Sequence, residues 1–220
     1  MNPVPPSSPP PTRRDDLGAV VRDACLSYHT TGLDDDQLLE TTRQFIKSLE
    51  SEKIPHVLVG GLALLQYVDG RNTRDIDLII ALVDLARLPG FVLEEKNEWF
   101  ATGTSGPLRV DLLFTDNPLF AQVWELHSEE RTFLNVRLRC ATPQGIILLK
   151  LFALPSLYRQ GNIDRAALYE TDILQLLHHQ PIAAEVLLTA LAPHLMPSDI
   201  NSLREVLADI QTRLMRSNWK

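Results

Sequence analysis

The stretch from His56 to Ala81 constrains this chain more than any other, because it carries two acidic residues inside a predicted strand. Its sequence, HVLVGGLALLQYVDGRNTRDIDLIIA, predicts a short apolar strand, a Gly60-Gly61 turn, a helix, a polar turn and a second strand. Asp75 and Asp77 alternate with apolar residues in that second strand, so both carboxylates point to one face. Neighbouring carboxylates repel each other unless a cation or a proton intervenes, and hard oxygen ligands suit magnesium or manganese. The pattern therefore predicts a divalent metal at this strand.

The glycine pair Gly60-Gly61 precedes a helix that we predict from Leu62 to Val68. Glycines allow the backbone to approach a ligand closely, and the first N–H groups of a helix favour a phosphate. A glycine pair by itself is more often a plain strand-to-helix turn. Combined with the acidic pair on the next strand, it indicates phosphate chemistry with a divalent metal.

Asp111 is a third carboxylate in an unusual position, because it lies in the middle of the predicted strand Leu108–Phe114. Aspartate is disfavoured in strands and is costly to bury without a partner. One interpretation is an exposed residue of an edge strand, or one paired with Arg109 or Arg137. The other is a third metal ligand beside the acidic pair.

Lys150 and Asp172 are charged residues on otherwise apolar faces of two predicted helices. Lys150 is surrounded by apolar neighbours in the helix Gln144–Leu154, so its ammonium needs a triphosphate or a carboxylate, unless the side chain snorkels to the surface. Asp172 shares an apolar stripe of the helix Asp164–His179, which predicts that it faces inward. An inward carboxylate near an inward lysine indicates an ion pair or a direct catalytic contact.

The remaining pattern predicts an α+β arrangement, with a strand-rich middle followed by a helical last third. We expect a disordered Pro-rich tail at 1–14, an N-terminal helical segment at 15–54, a core at 55–141 and a helical C-terminal region at 142–220. Pro155 is expected to end its helix early and to leave residues 156–163 as a loop. Other predicted elements are the strands Phe91–Leu93, Glu98–Thr102 and Thr132–Cys140, the turn Gly103–Pro107, and the helices Leu82–Leu88, Pro118–Leu126, Ile182–His194 and Ser198–Met215.

Composition excludes several classes of function. The net charge of -7 disfavours a surface that binds nucleic acid by bulk electrostatics, so an RNA substrate would need a local basic patch. Cys25 and Cys140 have no metal-site spacing and are expected to be free thiols in a reducing compartment. Apolar runs stop well short of the roughly 20 residues of a membrane helix, and the N-terminus lacks an apolar signal core. We therefore predict a cytoplasmic protein that does not enter a membrane.

The order of Gly-Gly, short helix, polar turn with Arg and Thr, and Asp-Ile-Asp-Leu resembles the core signature of the nucleotidyltransferase superfamily, whose archetype is DNA polymerase beta. The sequence VGGLALLQYVDGRNTRDIDLIIA is most similar to the AbiEii/AbiGii-type nucleotidyltransferase toxins of abortive-infection and toxin-antitoxin systems. The resemblance covers roughly Pro55 to Leu177. It implies a nucleotidyltransferase-like mixed sheet flanked by helices.

The resemblance also implies roles for individual residues and for partners. Asp75, Asp77 and Asp111 would hold Mg2+ or Mn2+, and Lys150 and Asp172 would complete the catalytic set. The substrate would be a nucleoside triphosphate (NTP). The acceptor would be RNA, above all the 3' end of a transfer RNA, and the partner would be a cognate antitoxin protein. Nucleotide-binding residues would be Gly60, Gly61, Arg71, Thr73, Arg74 and Lys150.

Several alternatives remain open from the sequence. Arg71, Thr73 and Arg74 could equally be solvated turn residues, and Arg159 and Arg165 could line an RNA cleft or coat a helix end. The acceptor could be a small molecule, as in antibiotic-modifying enzymes, or a protein hydroxyl; a compact pocket without a basic groove would support the small molecule. The same pattern is also compatible with a non-catalytic binding protein of the same fold and with a purely structural α+β domain.

Overall fold

Strands of the described chain form one seven-stranded mixed sheet in a computed structural model, which describes residues 35–68, 73, 75–133 and 136–217. The sheet order is β3-β4-β5-β2-β1-β7-β6. β2 pairs parallel with β5 and β1 pairs parallel with β7, whereas the other neighbours are antiparallel. The strands are β1 (Val57–Val59), β2 (Asp75–Ile80), β3 (Phe91–Lys96), β4 (Phe100–Ser105), β5 (Leu108–Phe114), β6 (Ser128–Phe133) and β7 (Val136–Ala141).

The centre of the sheet is buried on both faces. All three residues of β1 are buried, and so are Ile76 and Leu78 of the adjacent β2. Burying such side chains contributes about 1.5 to 3 kcal/mol each, which explains why this apolar stretch forms the middle of the sheet. The α+β prediction with a helical C-terminal region is confirmed.

Helices pack around this sheet. The N-terminal helix α1 contacts β5 and β7, and it buries Phe45, Ile46 and Leu49. The central helix α4 begins after Thr142, whose Oγ1 accepts a hydrogen bond from Gly145 N, and it contacts each of the later helices. The helices are α1 (Asp35–Ser51), α2 (Gly60–Leu64), α3 (Pro118–Leu126), α4 (Pro143–Arg159), α5 (Ile163–His179), α6 (Ala184–Leu191) and α7 (Pro197–Ser217), with a 3-10 helix at Leu82–Arg87.

The predicted break at Pro155 is wrong, because α4 continues through it to Arg159. Proline inside a helix costs about 3 kcal/mol through a lost hydrogen bond and a clash. On either side of it, Leu151, Leu154 and Leu157 are buried in the core. Their burial offsets that cost, so packing overrides the local signal.

Two predictions about the strands are also wrong. The stretch Thr132–Cys140, predicted as one strand, contains the end of β6 and most of β7, which pair antiparallel with each other. The turn predicted to begin at Gly103 begins later, because Gly103 lies inside β4. A Cβ atom at Gly103 would lie 2.2 Å from the Val92 carbonyl oxygen, so the glycine permits close packing of β3 on β4. Gly106, with φ +58°, makes the turn itself.

The helix predicted from Leu62 to Val68 is shorter and begins earlier, at Gly60, and the other helix and strand ends shift by a few residues. The predicted tail and Cys25 lie outside the described residues, and the four-part division of the chain stays a prediction. Within the described residues, no helix combines the length and the apolar character that a membrane span requires.

Candidate active site

Two carboxylates meet at the centre of the sheet. β2 and β5 are parallel neighbours, and their register places Asp77 directly beside Asp111. Asp75 precedes Asp77 by two residues and therefore shares its face. On the other side of β5, Thr102 of β4 lies beside Asp111. The sheet thus brings together the three carboxylates that the sequence analysis singled out.

The surroundings of these carboxylates disfavour negative charge. Burial, followed by the nearby charges of Asp75 and Asp111, raises the pKa of Asp77 to about 7. Burial also raises the pKa of Asp111, which the guanidinium of Arg109 opposes. Arg109 Nε lies 3.4 Å from Asp111 Oδ1, so the pairing with Arg109 that we considered is present at a long distance. The cluster therefore attracts protons or a cation.

One structural observation, the environment of Asp111 Oδ1, supports the binding of a divalent cation by this cluster. Asp111 Oδ1 is buried, and its ion pair with Arg109 Nε at 3.4 Å does not meet hydrogen-bond geometry, so this oxygen keeps the capacity to bind a cation. The described residues include no group of three or more His, Cys, Asp and Glu side chains arranged as a metal site. Magnesium, however, is usually held by one or two protein carboxylates together with substrate phosphates. Asp77 and Asp111 side by side meet that requirement.

The glycine pair makes room for the carboxylates. Gly60 has φ +63°, and a Cβ atom there would lie 1.9 Å from Asp77 Oδ2. A Cβ atom at Gly61 would lie 2.4 Å from Thr73 Oγ1, and Gly61 N donates to Asp77 Oδ2 at 3.4 Å. Thr73 Oγ1 in turn donates to Asp75 Oδ1 at 2.5 Å. The turn is therefore built against the acidic strand, and a role in phosphate binding stays a prediction.

Lys150 and Asp172 form the ion pair that the helical patterns indicated. Lys150 Nζ lies 2.8 Å from Asp172 Oδ2, and the two residues are 6% and 1% exposed. Nζ also lies 4.1 Å from the ring centre of Tyr169, a cation–π distance. Lys150 does not snorkel to the surface but lines the same cavity as Asp77. Its positive charge partly opposes the rise in the pKa of Asp77. Its ammonium is therefore fixed near the acidic cluster.

Tyr169 and Arg165 also line this cavity, although Tyr169 was not predicted as a site residue and Arg165 was considered only for an RNA cleft or a helix end. The Arg165 guanidinium lies 5.7 Å from the ring centre of Tyr169, and its interaction with Tyr169, followed by the negative charges of Asp77 and Asp111, raises its pKa. Both residues could have been found from spacing, because they precede Asp172 by three and seven residues on one helical face. Arg71 and Arg74, predicted to bind nucleotide, lie outside the described residues.

One cavity of about 270 Å³ is lined by two of these carboxylates, Asp77 and Asp111, and by Lys150. It runs from the glycine turn, past the carboxylates, to the apolar residues of β4 and α4, with α5 contributing one wall. The residues that line it include Gly60, Asp77, Arg109, Asp111, Lys150, Arg165, Tyr169, Phe100, Thr102, Phe152 and Ala153.

Solved structures define the class of fold. The crystal structure of ANT(2")-Ia in complex with adenylyl-2"-tobramycin is 14% identical, with a TM-score of 0.50 over 71% of this chain and 96% of that one. The solution structure of the antibiotic-resistance factor ANT(2'')-Ia is 13% identical, with a TM-score of 0.51 over 84% of this chain and 98% of that one. An antigenic nucleotidyltransferase-like protein from Paracoccidioides brasiliensis is 16% identical, covering 80% of this chain and 95% of that one, with a TM-score of 0.47.

The chain therefore has a nucleotidyltransferase-like fold. No family model matches the sequence. No curated protein matches it either. The closeness to AbiEii/AbiGii-type toxins stays a prediction.

Proposed function

We propose that this protein is a metal-dependent nucleotidyltransferase, which moves a nucleoside monophosphate from an NTP to an acceptor hydroxyl. The observation that carries the proposal is the pairing of Asp77 with Asp111 inside a cavity that also holds Lys150. The fold supports it, because a protein of this fold has been seen with an adenylylated product.

Asp77 and Asp111, with Asp75 beside them, would hold Mg2+ or Mn2+, which would supply positive charge at the phosphates and the acceptor oxygen. Asp111 would take up the proton of the acceptor hydroxyl, and its position beside Asp77 in the cavity supports this role. The hydroxyl oxygen then bonds to the α-phosphorus, and the bond from that phosphorus to pyrophosphate breaks. Lys150 would neutralise phosphate charge, and its contacts with Asp172 and Tyr169 support this role because they hold the ammonium in one position. Most of the catalysis by these residues is positioning and electrostatics.

RNA is the acceptor that the resemblance to toxin-antitoxin enzymes implies, with an antitoxin as partner. The charges of the described helices favour a different acceptor. Three arginines of α4 and α7 are paired with carboxylates, namely Arg159 with Asp199, Arg204 with Glu185, and Arg213 with Glu170 and Asp209. Together with the net charge of -7, these pairs leave little positive charge for an RNA backbone. We therefore place a small-molecule acceptor first and the RNA 3' end, with a toxin-like role, second.

The test is to incubate the purified protein and Mg2+ with each α-labelled NTP, with total RNA or with a small-molecule alcohol panel. Asp77→Asn and Asp111→Asn are the inactive variants, and Asp116→Asn is the control, because Asp116 is an exposed carboxylate close to the end of β5. Label transferred by the wild type and the control alone supports the proposal. Absence of both NTP binding and transfer would refute it.

A further inference from the structure

A second cavity of about 600 Å³ adjoins the candidate active site. The two cavities share three wall residues, Phe100, Phe152 and Ala153. The second cavity extends from these residues towards the start of α3 and the segment between α6 and α7. The other residues that line it are Trp99, Asn117, Pro118, Ser156, Leu157, Arg159, Pro193, His194, Leu195, Met196 and Asp199.

The second cavity lies on the side of the site where an acceptor should enter. In nucleotidyl transfer the attacking and leaving oxygens are roughly in line about the α-phosphorus. Gly60 directly follows β1, and β5 with Asp111 lies on the other side of β2, so a phosphate at the glycine turn would leave the hydroxyl to approach from beyond Asp111. Phe100, which lines both cavities, is two residues from Thr102, the neighbour of Asp111 in the sheet. At about 3.3 Å per residue, Phe100 lies roughly 7 Å along β4 from Thr102, so the second cavity begins close to the strand position that faces Asp111.

The chemistry of the walls selects the kind of acceptor. Among the described residues that line the cavity, the ionised side chains Arg159 and Asp199 are paired with each other at 2.8 Å. His194 Nε2 contacts Gln122 Oε1 at 3.1 Å, and burial lowers the pKa of His194, which favours the neutral imidazole. The rest of the lining is dominated by aromatic and aliphatic side chains. A polycationic sugar or a nucleic-acid backbone would find no unpaired opposite charge there.

The shared wall is aromatic. The ring of Phe120 packs edge-on against Phe100 and Phe152, with ring centres 5.2 Å and 5.8 Å apart respectively. Trp99, at 39% exposed, adds an indole at the opening of the cavity. Aromatic rings of this kind bind flat apolar groups by stacking and edge contacts. The volume of about 600 Å³ lies within the 300 to 1,000 Å³ typical of small-molecule sites.

We propose that the second cavity binds the body of the acceptor, a small uncharged alcohol or phenol with an aromatic or aliphatic frame, whose hydroxyl reaches Asp111. This assignment rests on the proposed nucleotidyl transfer and specifies its substrate class. The cavity then determines specificity, while the carboxylates and Lys150 carry the reaction.

The experiment uses 2-naphthalenemethanol, a fluorescent uncharged alcohol, as the probe, with the full chain and Mg2+. Ser156→Trp fills the second cavity from α4 without touching the first cavity. Gln160→Trp is the matched control, because it adds the same side chain at the exposed end of the same helix. Both variants remove the hydrogen bond that Gln160 Nε2 donates to Ser156 Oγ at 3.0 Å. Thermal unfolding verifies that each variant is folded.

We expect Ser156→Trp to weaken probe binding at least tenfold and to raise the KM of the alcohol, while Gln160→Trp stays within twofold of the wild type. Binding of labelled NTP should be the same in all three proteins. Equal probe binding by wild type and Ser156→Trp, no probe binding by the wild type, or transfer to RNA or tobramycin alone would overturn the assignment. Probe binding that depends on Ser156 in a protein that does not bind NTP would instead refute the nucleotidyl transfer and leave the cavity assigned.

Discussion

Lys150 and Asp172 join α4 to α5 through a buried ion pair, with Nζ 2.8 Å from Oδ2. The aromatic ring of Tyr169 lies on the same ammonium, 4.1 Å from ring centre to Nζ. The pair therefore serves two purposes at once, since it fixes the packing of two helices and points a positive charge towards the carboxylates of β2 and β5.

Asp172→Ala should destabilise the fold by about 3 to 5 kcal/mol, because it removes the carboxylate partner of a buried ammonium. Urea unfolding measures this change. The double variant Lys150→Met/Asp172→Leu should recover most of that stability without recovering transfer activity, because apolar residues of similar volume can replace a buried pair. A double variant that remains as unstable as Asp172→Ala would contradict the account of the pair.

Gly60→Ala should reduce both stability and transfer. The new Cβ would collide with Asp77 Oδ2 at 1.9 Å, in addition to the backbone cost at φ +63°. Gly106→Ala isolates that backbone cost, because Gly106 has φ +58° and a Cβ there meets nothing within 4 Å. We expect Gly106→Ala to lose about 1 to 2 kcal/mol with activity retained, and Gly60→Ala to lose more, with at least a tenfold fall in kcat. Equal effects of the two variants would show that the close approach to Asp77 is unimportant.

Mg2+ should raise the Tm of the wild type by several degrees, and Asp77→Asn and Asp111→Asn should lose this response. A cation between neighbouring carboxylates relieves their repulsion and binds only the folded chain. Differential scanning fluorimetry with Mg2+ and with EDTA measures the shift. An unchanged response in both variants would place any metal elsewhere.

His56 should make the fold sensitive to mild acid. It is 8% exposed, its Nδ1 lies 2.9 Å from the Ile54 carbonyl oxygen, and burial lowers its pKa below the ordinary value of about 6.5. The unfolded chain therefore takes up a proton before the folded chain does. The contribution of His56 to the free energy of unfolding should fall as the pH drops below about 6.5, down to the lowered pKa of the folded state, whereas Asp77, whose pKa is raised in the folded chain, contributes in the opposite direction.

The check on His56 is a series of unfolding experiments between pH 8 and pH 5 on the wild type and His56→Asn. Asparagine can donate to the Ile54 carbonyl but does not titrate, and Asp77 is the same in both proteins. The wild type should therefore lose stability relative to His56→Asn as the pH falls, by the contribution of His56. Two parallel profiles would show that His56 does not contribute.

Local patterns predicted much of the site, because the relevant information lay within a few residues. The alternation around Asp75 and Asp77 fixed a shared face, and helical spacing predicted an inward Asp172. The exact neighbour of Asp111 depends on the register of β2 with β5, which sequence spacing does not encode. Arg165 and Tyr169 were within reach of the same helical argument.

The errors arose where tertiary packing overrides local preference. β6 is an edge strand with the sequence SEERTF. This charged sequence has little of the apolar alternation that is typical of a strand. Pro155 is held inside α4 by buried leucines on either side. The second cavity combines Trp99, Phe152 and His194 from distant parts of the chain, so no local pattern predicted it.

The topology of the sheet has a further consequence for how the site comes into being. β2 and β5 are direct neighbours, although β3 and β4 lie between them in sequence, and β3 and β4 extend outward beyond β5. The edge strand β3 can therefore change in length during evolution without moving Asp77 or Asp111. By the same topology, the two aspartates meet only when β2 and β5 pair, a non-local contact that forms slowly in folding. A newly made or partly unfolded chain would possess every acidic residue and still be unable to assemble the pair.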